Sequence, residues 1–410
     1  MSTMIRRILF TRMRQSVNVR TNGTLSQEKC IEDTSKNAIP TLEPGKFQAA
    51  TLNKFGSSLT IQNMELLKTV QPNEVLIDVH YCTVNPSDVL LSKNMYMYEP
   101  KLPMVLGHEF VGELIQVGKD AQDKGFKTGD KVIALNKERY GGFAEKCVAE
   151  VCDIWKIPPS INSLDAVCLL NDYMTALIAL ERVVTIDEND TILINVGLNG
   201  PGFAAADLAT NVFKSQVISI CVNNDDAALI RDKGVFASMA YNERKLAKHL
   251  KEIADEKDMK DVFDGDSGEY FKKVLNSFTD MYKNGTSSEN LLHEDNFAVI
   301  IYHLSRKGRI IIAGASATKE NEHLKTDASS FNITGLSLRE CKKKDPDVYR
   351  QAGEEVLQFC EEGFITPTYS SIIGFHKIND ALYLSSNPKT SAKIIIDIKN
   401  KDLDAMKIHK

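Results

Sequence analysis

The stretch Asp190-Thr-Ile-Leu-Ile-Asn-Val-Gly-Leu-Asn-Gly-Pro-Gly-Phe-Ala-Ala-Ala-Asp-Leu-Ala209 decides the fold. Residues 191–196 are a β-branched and aliphatic run, the composition of a strand buried on both faces. A glycine-rich turn follows, and residues 203–209 read as a tightly packed helix of small side chains. Strand, tight turn and helix in this order are the setting that a dinucleotide fingerprint requires. Gly197 and Gly202 take its outer glycine positions, the first for the sharp turn and the last for close helix–strand packing. Gly200 lies inside the turn, and Pro201 suits a first helical turn, where its missing N–H costs nothing. The middle glycine position, where backbone closes on the pyrophosphate, is Asn199. Asparagine tolerates a left-handed backbone, but its side chain takes space the phosphates would want. On this stretch alone, a dinucleotide site and a packed βα turn without ligand stand level.

Working outward, a second strand at 216–222, a helix at 225–233 and strands at 261–264 and 308–314 continue an alternation of β and α. That rhythm predicts a parallel sheet with helices on its faces. Upstream the rhythm differs. Runs at 75–81, 110–117, 127–134 and 140–148, with a hairpin over 47–67, are separated by Gly and Pro turns and predict a β-rich antiparallel region. A helical segment at 164–180 lies between the two regions. Beyond 335 the pattern is mixed: a helix over 347–362 carries Ala352, Val356, Leu357 and Phe359 at helical spacing, and a strand covers 392–398. Residues 278–296 form a polar insertion with Asn284-Gly285, read as a surface loop.

The chain has 410 residues, enough for two domains. A net charge of −5 with no basic stripe argues against nucleic-acid binding. No apolar run approaches the roughly 18 residues that cross a bilayer. Eight cysteines without a C-x-x-C pair fit buried free thiols in a reducing compartment. The first 27 residues hold Arg6, Arg7, Arg12, Arg14 and Arg20 among apolar and hydroxyl residues, with no acid before Glu28. This is the character of a mitochondrial transit peptide, so the matrix is the expected location; a disordered tail on a cytoplasmic protein is the alternative. Residues 1–45 are set aside as transit peptide and linker.

Several further stretches carry a resemblance. They are Val84-Asn-Pro-Ser-Asp88, Leu102-Pro-Met-Val-Leu-Gly-His-Glu109, Gly129-Asp-Lys-Val132, Gly141-Gly-Phe-Ala-Glu145 and Thr175-Ala-Leu. After the Gly197 turn come Val262-Phe-Asp264, Gly308-Arg-Ile and Asn332-Ile-Thr-Gly-Leu-Ser-Leu. In this order, from Phe47 to Lys399, the chain resembles the medium-chain dehydrogenase/reductase superfamily and its zinc-independent quinone oxidoreductase (zeta-crystallin-like) branch. The resemblance implies an α/β protein: a GroES-like β-rich catalytic domain from residues 46–170 and 335–400, and a Rossmann doubly wound parallel sheet domain at 171–334. It also implies an active-site cleft between the domains and a homodimer.

Zinc-dependent relatives hold catalytic metal with a cysteine, a histidine and a second cysteine; the matching positions here are Asn85, His108 and Asn171. Neutral amides are poor Zn²⁺ ligands, so the expectation is no zinc, with His108 a structural turn residue. Without a Lewis acid, hydride addition to a quinone or α,β-unsaturated carbonyl is the easier chemistry. The expectation is hydride transfer from NADPH, with Asn85, Tyr96 and Tyr173 as candidate catalytic residues: Asn85 and Tyr96 line the nicotinamide side of the pocket, and Tyr173 is a hydrogen-bond donor or a cofactor contact. Thr175, near the domain junction, joins Gly197, Asn199, Gly200, Pro201 and Gly202 as a cofactor contact. The second strand ends in Cys221-Val-Asn-Asn224 without the carboxylate that NAD-specific folds place on the ribose, so NADPH is preferred over NADH, and NADH is not excluded. Asn223 and Asn224 are candidate ribose contacts, Arg231 is the nearest cation for a 2′-phosphate, and Asp225 is read as the cap of the following helix. The competing reading, a catalytically silent dinucleotide-binding or scaffold protein of the same fold, draws on Asn199 and the 278–296 insertion.

Overall fold

A computed structural model describes residues 42, 44–66, 68–96, 100–197, 200–240, 259–265, 309–312, 332–386 and 392–407. The expected transit peptide, the insertion at 278–296 and Asn199 lie outside the described residues.

The chain opens with the hairpin expected from its alternation. Strands β1 (Lys46–Leu52) and β2 (Thr60–Glu65) pair antiparallel, Lys46 opposite Glu65. The long β3 (Glu74–Val84) leads through α1 (Pro86–Ser92) and the short β4 (Met104–Val105) to β5 (Glu109–Val117). After α2 (Lys119–Asp123) come β6 (Lys131–Leu135), β7 (Lys146–Glu150) and β8 (Ile154–Lys156). β3 pairs antiparallel with both β5 and β7, so Val75, Ile77 and Val79 sit at the centre of a hydrophobic core. The expected single helix at 164–180 is two helices, α3 (Ser163–Ala166) and α4 (Leu170–Ile178). Between them Cys168 N bonds back only to Asp165 O, a three-residue step that breaks the α-helical ladder.

The next strands build the parallel sheet. They are β9 (Thr191–Asn195), β10 (Gln216–Cys221) after α5 (Pro201–Asn211), β11 (Ala237–Ala240) after α6 (Asn224–Asp232), β12 (Met259–Asp264), β13 (Arg309–Ile312) and β14 (Asn332–Gly335). Every pairing is parallel, in the order β11-β10-β9-β12-β13-β14. The strand order therefore reverses between β9 and β12, and an open parallel sheet binds ligands at such a reversal, beyond the carboxyl ends of the strands.

Helices α7 (Leu338–Lys344) and α8 (Pro346–Glu361) then lead back to β15 (Tyr369–Gly374), α9 (Ile378–Ser385), β16 (Lys393–Asp397) and β17 (Met406–Lys407). These late strands rejoin the first sheet, ordered β17-β15-β16-β3-β5-β6-β8. Apolar burial drives the return: Ile373, Phe375, Ile394 and Ile396 share one core with Val79, Phe110 and Phe143. The fold is thus α/β, a β-rich GroES-like part and a Rossmann sheet, with α4 packed on both α5 and α8. The described cysteines are free, and Cys82, Cys147, Cys168 and Cys221 are buried.

Candidate active site

At the strand reversal, the β9–α5 turn has the close geometry its glycines predict. Gly197 has φ +69°, a left-handed conformation that costs glycine little. A Cβ on Gly202 would lie 2.1 Å from the Val196 carbonyl oxygen, so only glycine lets α5 start against β9. Pro201 is at the helix start and no acid occupies the first turn of α5. Asn195 at the end of β9 donates from Nδ2 to Asp264 Oδ1 of β12 at 2.7 Å, tying together the two strands that flank the crevice. A helix N-terminus free of acids, entered through Gly200 and Gly202, fits a pyrophosphate.

A second polar centre lies where α4 meets the β-rich sheet. Glu109, 0% exposed at the start of β5, accepts from Asn171 N at 2.8 Å and so satisfies an otherwise unpaired N–H in the first turn of α4. It also accepts from Thr83 Oγ1 at 2.8 Å and Lys393 Nζ at 2.5 Å. Lys393 Nζ lies 3.4 Å from Asp172 Oδ2, so one ammonium serves two buried carboxylates. Burial raises the Glu109 pKa, but Lys393 and the Asn171 N–H outweigh it and the net shift is downward. Burial and the charge of Glu109 push Asp172 up despite Lys393. Burial works against the Lys393 ammonium, yet the two carboxylates hold its pKa above the ordinary value.

The candidate residue Asn85 belongs to this centre. It is 1% exposed just before α1, held there by Asn85 N donating to Asp88 Oδ2 at 2.9 Å. Its Nδ2 donates to Thr83 Oγ1 at 3.0 Å, and its Oδ1 accepts from Asn171 Nδ2 at 3.2 Å. Asn85 and Asn171, 86 residues apart, are therefore joined amide to amide. Asn171 Oδ1 in turn accepts from Lys137 Nζ at 2.6 Å. His108, also fully buried, packs edge-on against Tyr140 with ring centroids 5.7 Å apart, and its Nδ1 is 3.5 Å from Asp88 Oδ1. Gly107 precedes it with φ +83°, and a Cβ there would meet Phe143 Cδ1 at 2.6 Å.

The other candidates fall elsewhere. Tyr173 stands two residues from Asn171 on α4, a spacing that sends the two side chains to opposite sides of a helix. Its hydroxyl lies 2.8 Å from Asp207 Oδ2 and 3.1 Å from Thr366 O, not with the Asn85 amide. Asp207, 1% exposed on α5, also accepts from Thr366 N at 3.0 Å, Lys233 Nζ at 3.1 Å and Asn211 Nδ2 at 2.9 Å. This cluster ties the parallel-sheet helix to the segment that re-enters the β-rich sheet. Thr175 Oγ1 donates to Asn171 O at 2.6 Å, a backbone bond within α4. Tyr96 is half-buried against the core of the β-rich part.

Beyond β10, the cap of α6 is Asn223, whose side chain accepts from Asp226 N at 2.9 Å; this corrects the expectation of Asp225, which is exposed one residue inside the helix. Asn224 is exposed. Arg231 donates to Ser238 O at 3.3 Å, so its guanidinium is engaged with β11. The sequence reading missed Lys137, Lys393, Asp172 and Asp207. Asp207 left a signal, an acid inside a helix of alanines; Lys137, in the run Asn136-Lys-Glu-Arg139, reads as an ordinary solvated loop charge.

Among the described residues, one group of three metal-ligating side chains occurs, Glu150, Cys152 and Asp153. Lys342 Nζ already sits 2.7 Å from Asp153 and 3.8 Å from Glu150, so an ammonium neutralises it.

Comparison with known proteins agrees with this geometry. Residues 71–159 match the alcohol dehydrogenase GroES-like domain family. The chain is 27% identical over 356 residues to quinone oxidoreductase-like protein 2 of Mus musculus, covering 86% of this chain and 93% of that protein. Among solved structures, mycobacterial Rv1454c complexed with NADPH superposes with a TM-score of 0.69 at 20% identity, over 86% of this chain and 100% of that one. CurK enoyl reductase superposes with a TM-score of 0.70 at 20% identity, over 86% and 99%. With the reversal of strand order at the glycine turn and the rejoined β-rich sheet, these likenesses support the medium-chain dehydrogenase/reductase superfamily and its quinone oxidoreductase-like branch.

Proposed function

We propose that the protein is a zinc-independent oxidoreductase that transfers a hydride from NADPH to a quinone or an α,β-unsaturated carbonyl. The observation that carries this reading is the joined pair Asn85 and Asn171, standing where metal-dependent relatives hold thiolates, with an ammonium hydrogen-bonded to it. Alcohol oxidation calls for a Lewis acid to hold an alkoxide. Reduction of an activated acceptor calls for a hydrogen-bond donor at an oxygen that gains charge, which such a centre supplies.

The turn from Gly197 through Gly200 and Pro201 to Gly202 would hold the pyrophosphate on the N-terminus of α5, with Asn223 and Asn224 toward the ribose. Bound there, NADPH supplies the hydride. The absence of a carboxylate at the end of β10 supports NADPH over NADH. A relative named as quinone oxidoreductase-like and a neighbour complexed with NADPH support the same chemistry. Residues 46–170 and 335–400 would form the catalytic domain and 171–334 the cofactor domain. The arginine-rich 1–45 segment would direct a homodimer to the mitochondrial matrix.

The test is a titration of the purified protein with NADPH and NADH by nicotinamide fluorescence, then turnover with 1,4-naphthoquinone and 3-nonen-2-one. NADPH-preferring binding with turnover is expected. A folded protein that binds NADPH and reduces neither acceptor would be a silent nucleotide-binding relative; one that binds neither nucleotide would be a scaffold.

A further inference from the structure

We infer that Lys137 is the proton donor of this site: its ammonium gives a proton to the acceptor oxygen as the hydride arrives. The inference rests on the reductase reading. It starts from a contrast between two lysines at one centre. Lys393 is 5% exposed and bonded to two carboxylates, so its protons are committed to the fold. Lys137 is half-buried and makes a single polar contact, Nζ to Asn171 Oδ1 at 2.6 Å. Among the described residues no carboxylate comes within ion-pairing distance of it. An ammonium has three donors, so two N–H groups remain for an incoming oxygen, beside the joined amides Asn171 and Asn85.

The loop that presents Lys137 is fixed. Asn136, 0% exposed, donates from Nδ2 to Tyr140 O at 2.7 Å and Val148 O at 3.0 Å, and Asn136 N bonds to His108 O at 2.6 Å. The next two charges of the loop turn away: Glu138 pairs with Arg339 at 2.7 Å and Arg139 with Glu74 at 2.6 Å. Lys137 alone faces the centre. Burial lowers its pKa, and Lys393 adds to that. Glu109 from β5, Asp172 from α4 and Asp88 from α1 oppose, and the net shift is downward. A lysine so placed releases its proton more readily than a free one.

For an enone, hydride leaves NADPH, which becomes NADP⁺, and forms a C–H bond at the β-carbon; the alkene pair becomes the new bond between the α-carbon and the carbonyl carbon, and the carbonyl π pair moves onto oxygen. One Lys137 N–H bond breaks as the O–H bond of the enol forms; the enol becomes the saturated ketone in water, and the neutral amine takes a proton from solvent. For a quinone, hydride and the Lys137 proton together make the hydroquinone. In either case one hydride and one proton are consumed, and the acceptor gains two electrons.

The experiment compares the full-length wild type with Lys137→Met and Lys137→Arg. It reads NADPH affinity, the pH profile of kcat with 3-nonen-2-one, and the titration of Lys137 itself by NMR after reductive ¹³C-methylation. Both variants should bind NADPH within about threefold of wild type while kcat falls by about 100-fold or more. Arginine keeps the charge but cannot release the proton at these pH values, so it should not rescue. Wild-type kcat should fall on the alkaline side at the pH where the Lys137 resonance titrates, below the value of about 10.4 for a free lysine, and that limb should vanish in both variants. Near-wild-type kcat in Lys137→Met, full rescue by arginine, or an unshifted Lys137 resonance would overturn the assignment. Those results in an active wild type leave the reductase reading standing. A wild type that binds NADPH and reduces no acceptor sinks both.

Discussion

Lys393 Nζ lies 2.5 Å from Glu109 Oε2 and 3.4 Å from Asp172 Oδ2, with all three side chains almost wholly out of water. Removing the cation leaves two carboxylates buried without a counter-charge. Lys393→Met should cost about 3–5 kcal/mol near neutral pH, read as a lowered urea midpoint. The pH dependence follows from the shifts. In the wild type, the lowered Glu109 pKa contributes stability that is present above its unfolded value and lost as pH falls through the folded one. The raised Asp172 pKa acts oppositely, costing stability once pH exceeds its unfolded value. Without Lys393 both carboxyls are raised, so the deficit of the variant should begin to shrink as pH falls through those raised values, above the ordinary range of about 4, and shrink further below it as wild-type Glu109 protonates. A deficit constant with pH would mean that Lys393 acts through packing alone.

Tyr173 offers a contrasting case, because the geometry gives its hydroxyl a structural task. Tyr173→Phe removes one of the bonds to Asp207 and leaves those from Thr366 N, Lys233 and Asn211. A loss of about 1–2 kcal/mol is expected, with NADPH-dependent turnover kept within a few-fold. A large fall in kcat with unchanged stability would return Tyr173 to the chemistry.

The glycine turn yields a steric prediction. In Gly202→Ala the new methyl would sit 2.1 Å from Val196 O, a backbone atom that cannot swing aside. The helix must shift from the strand, at a cost of about 1–3 kcal/mol. Because α5 carries the proposed pyrophosphate site, NADPH affinity should fall at least about tenfold, equivalent to about 1.4 kcal/mol. Calorimetric titration of folded Gly202→Ala protein decides it; unchanged affinity would place the nucleotide elsewhere.

Much of the fold was legible because its signals are local. The centre of a buried parallel strand must be apolar, as residues 192–194 are, and a close helix–strand approach must use glycine, as Gly202 does. The site was legible only in part. Asn85 and Asn171 stood out through their place in the resemblance, yet their mutual bond spans 86 residues and no spacing encodes it. Lys393 sits in the strand Lys393–Asp397, where a lone lysine reads as a strand end exposed to water. Its burial is imposed by Glu109 and Asp172, from two distant segments. Tyr173 shows the converse. It stands beside Thr175 near the domain junction in the sequence, and the helical turn sends its hydroxyl to Asp207.

Metal removal supplies the last prediction. Of the three positions that hold zinc in metal-dependent relatives, one is an imidazole, His108, and two are amides committed to each other. Lys137 Nζ, 2.6 Å from Asn171 Oδ1, puts a positive charge where Zn²⁺ would need an electron pair. Even at an effective dielectric constant near 20, two unit charges 4 Å apart repel by about 4 kcal/mol, and a divalent ion by about twice that. Dialysis against a strong chelator should therefore leave both NADPH-dependent turnover and the thermal midpoint unchanged, and elemental analysis of the untreated protein should find zinc far below one per chain. Loss of turnover on dialysis, restored by added zinc, would show that His108 recruits a metal through ligands other than these amides, and would overturn the zinc-independent reading.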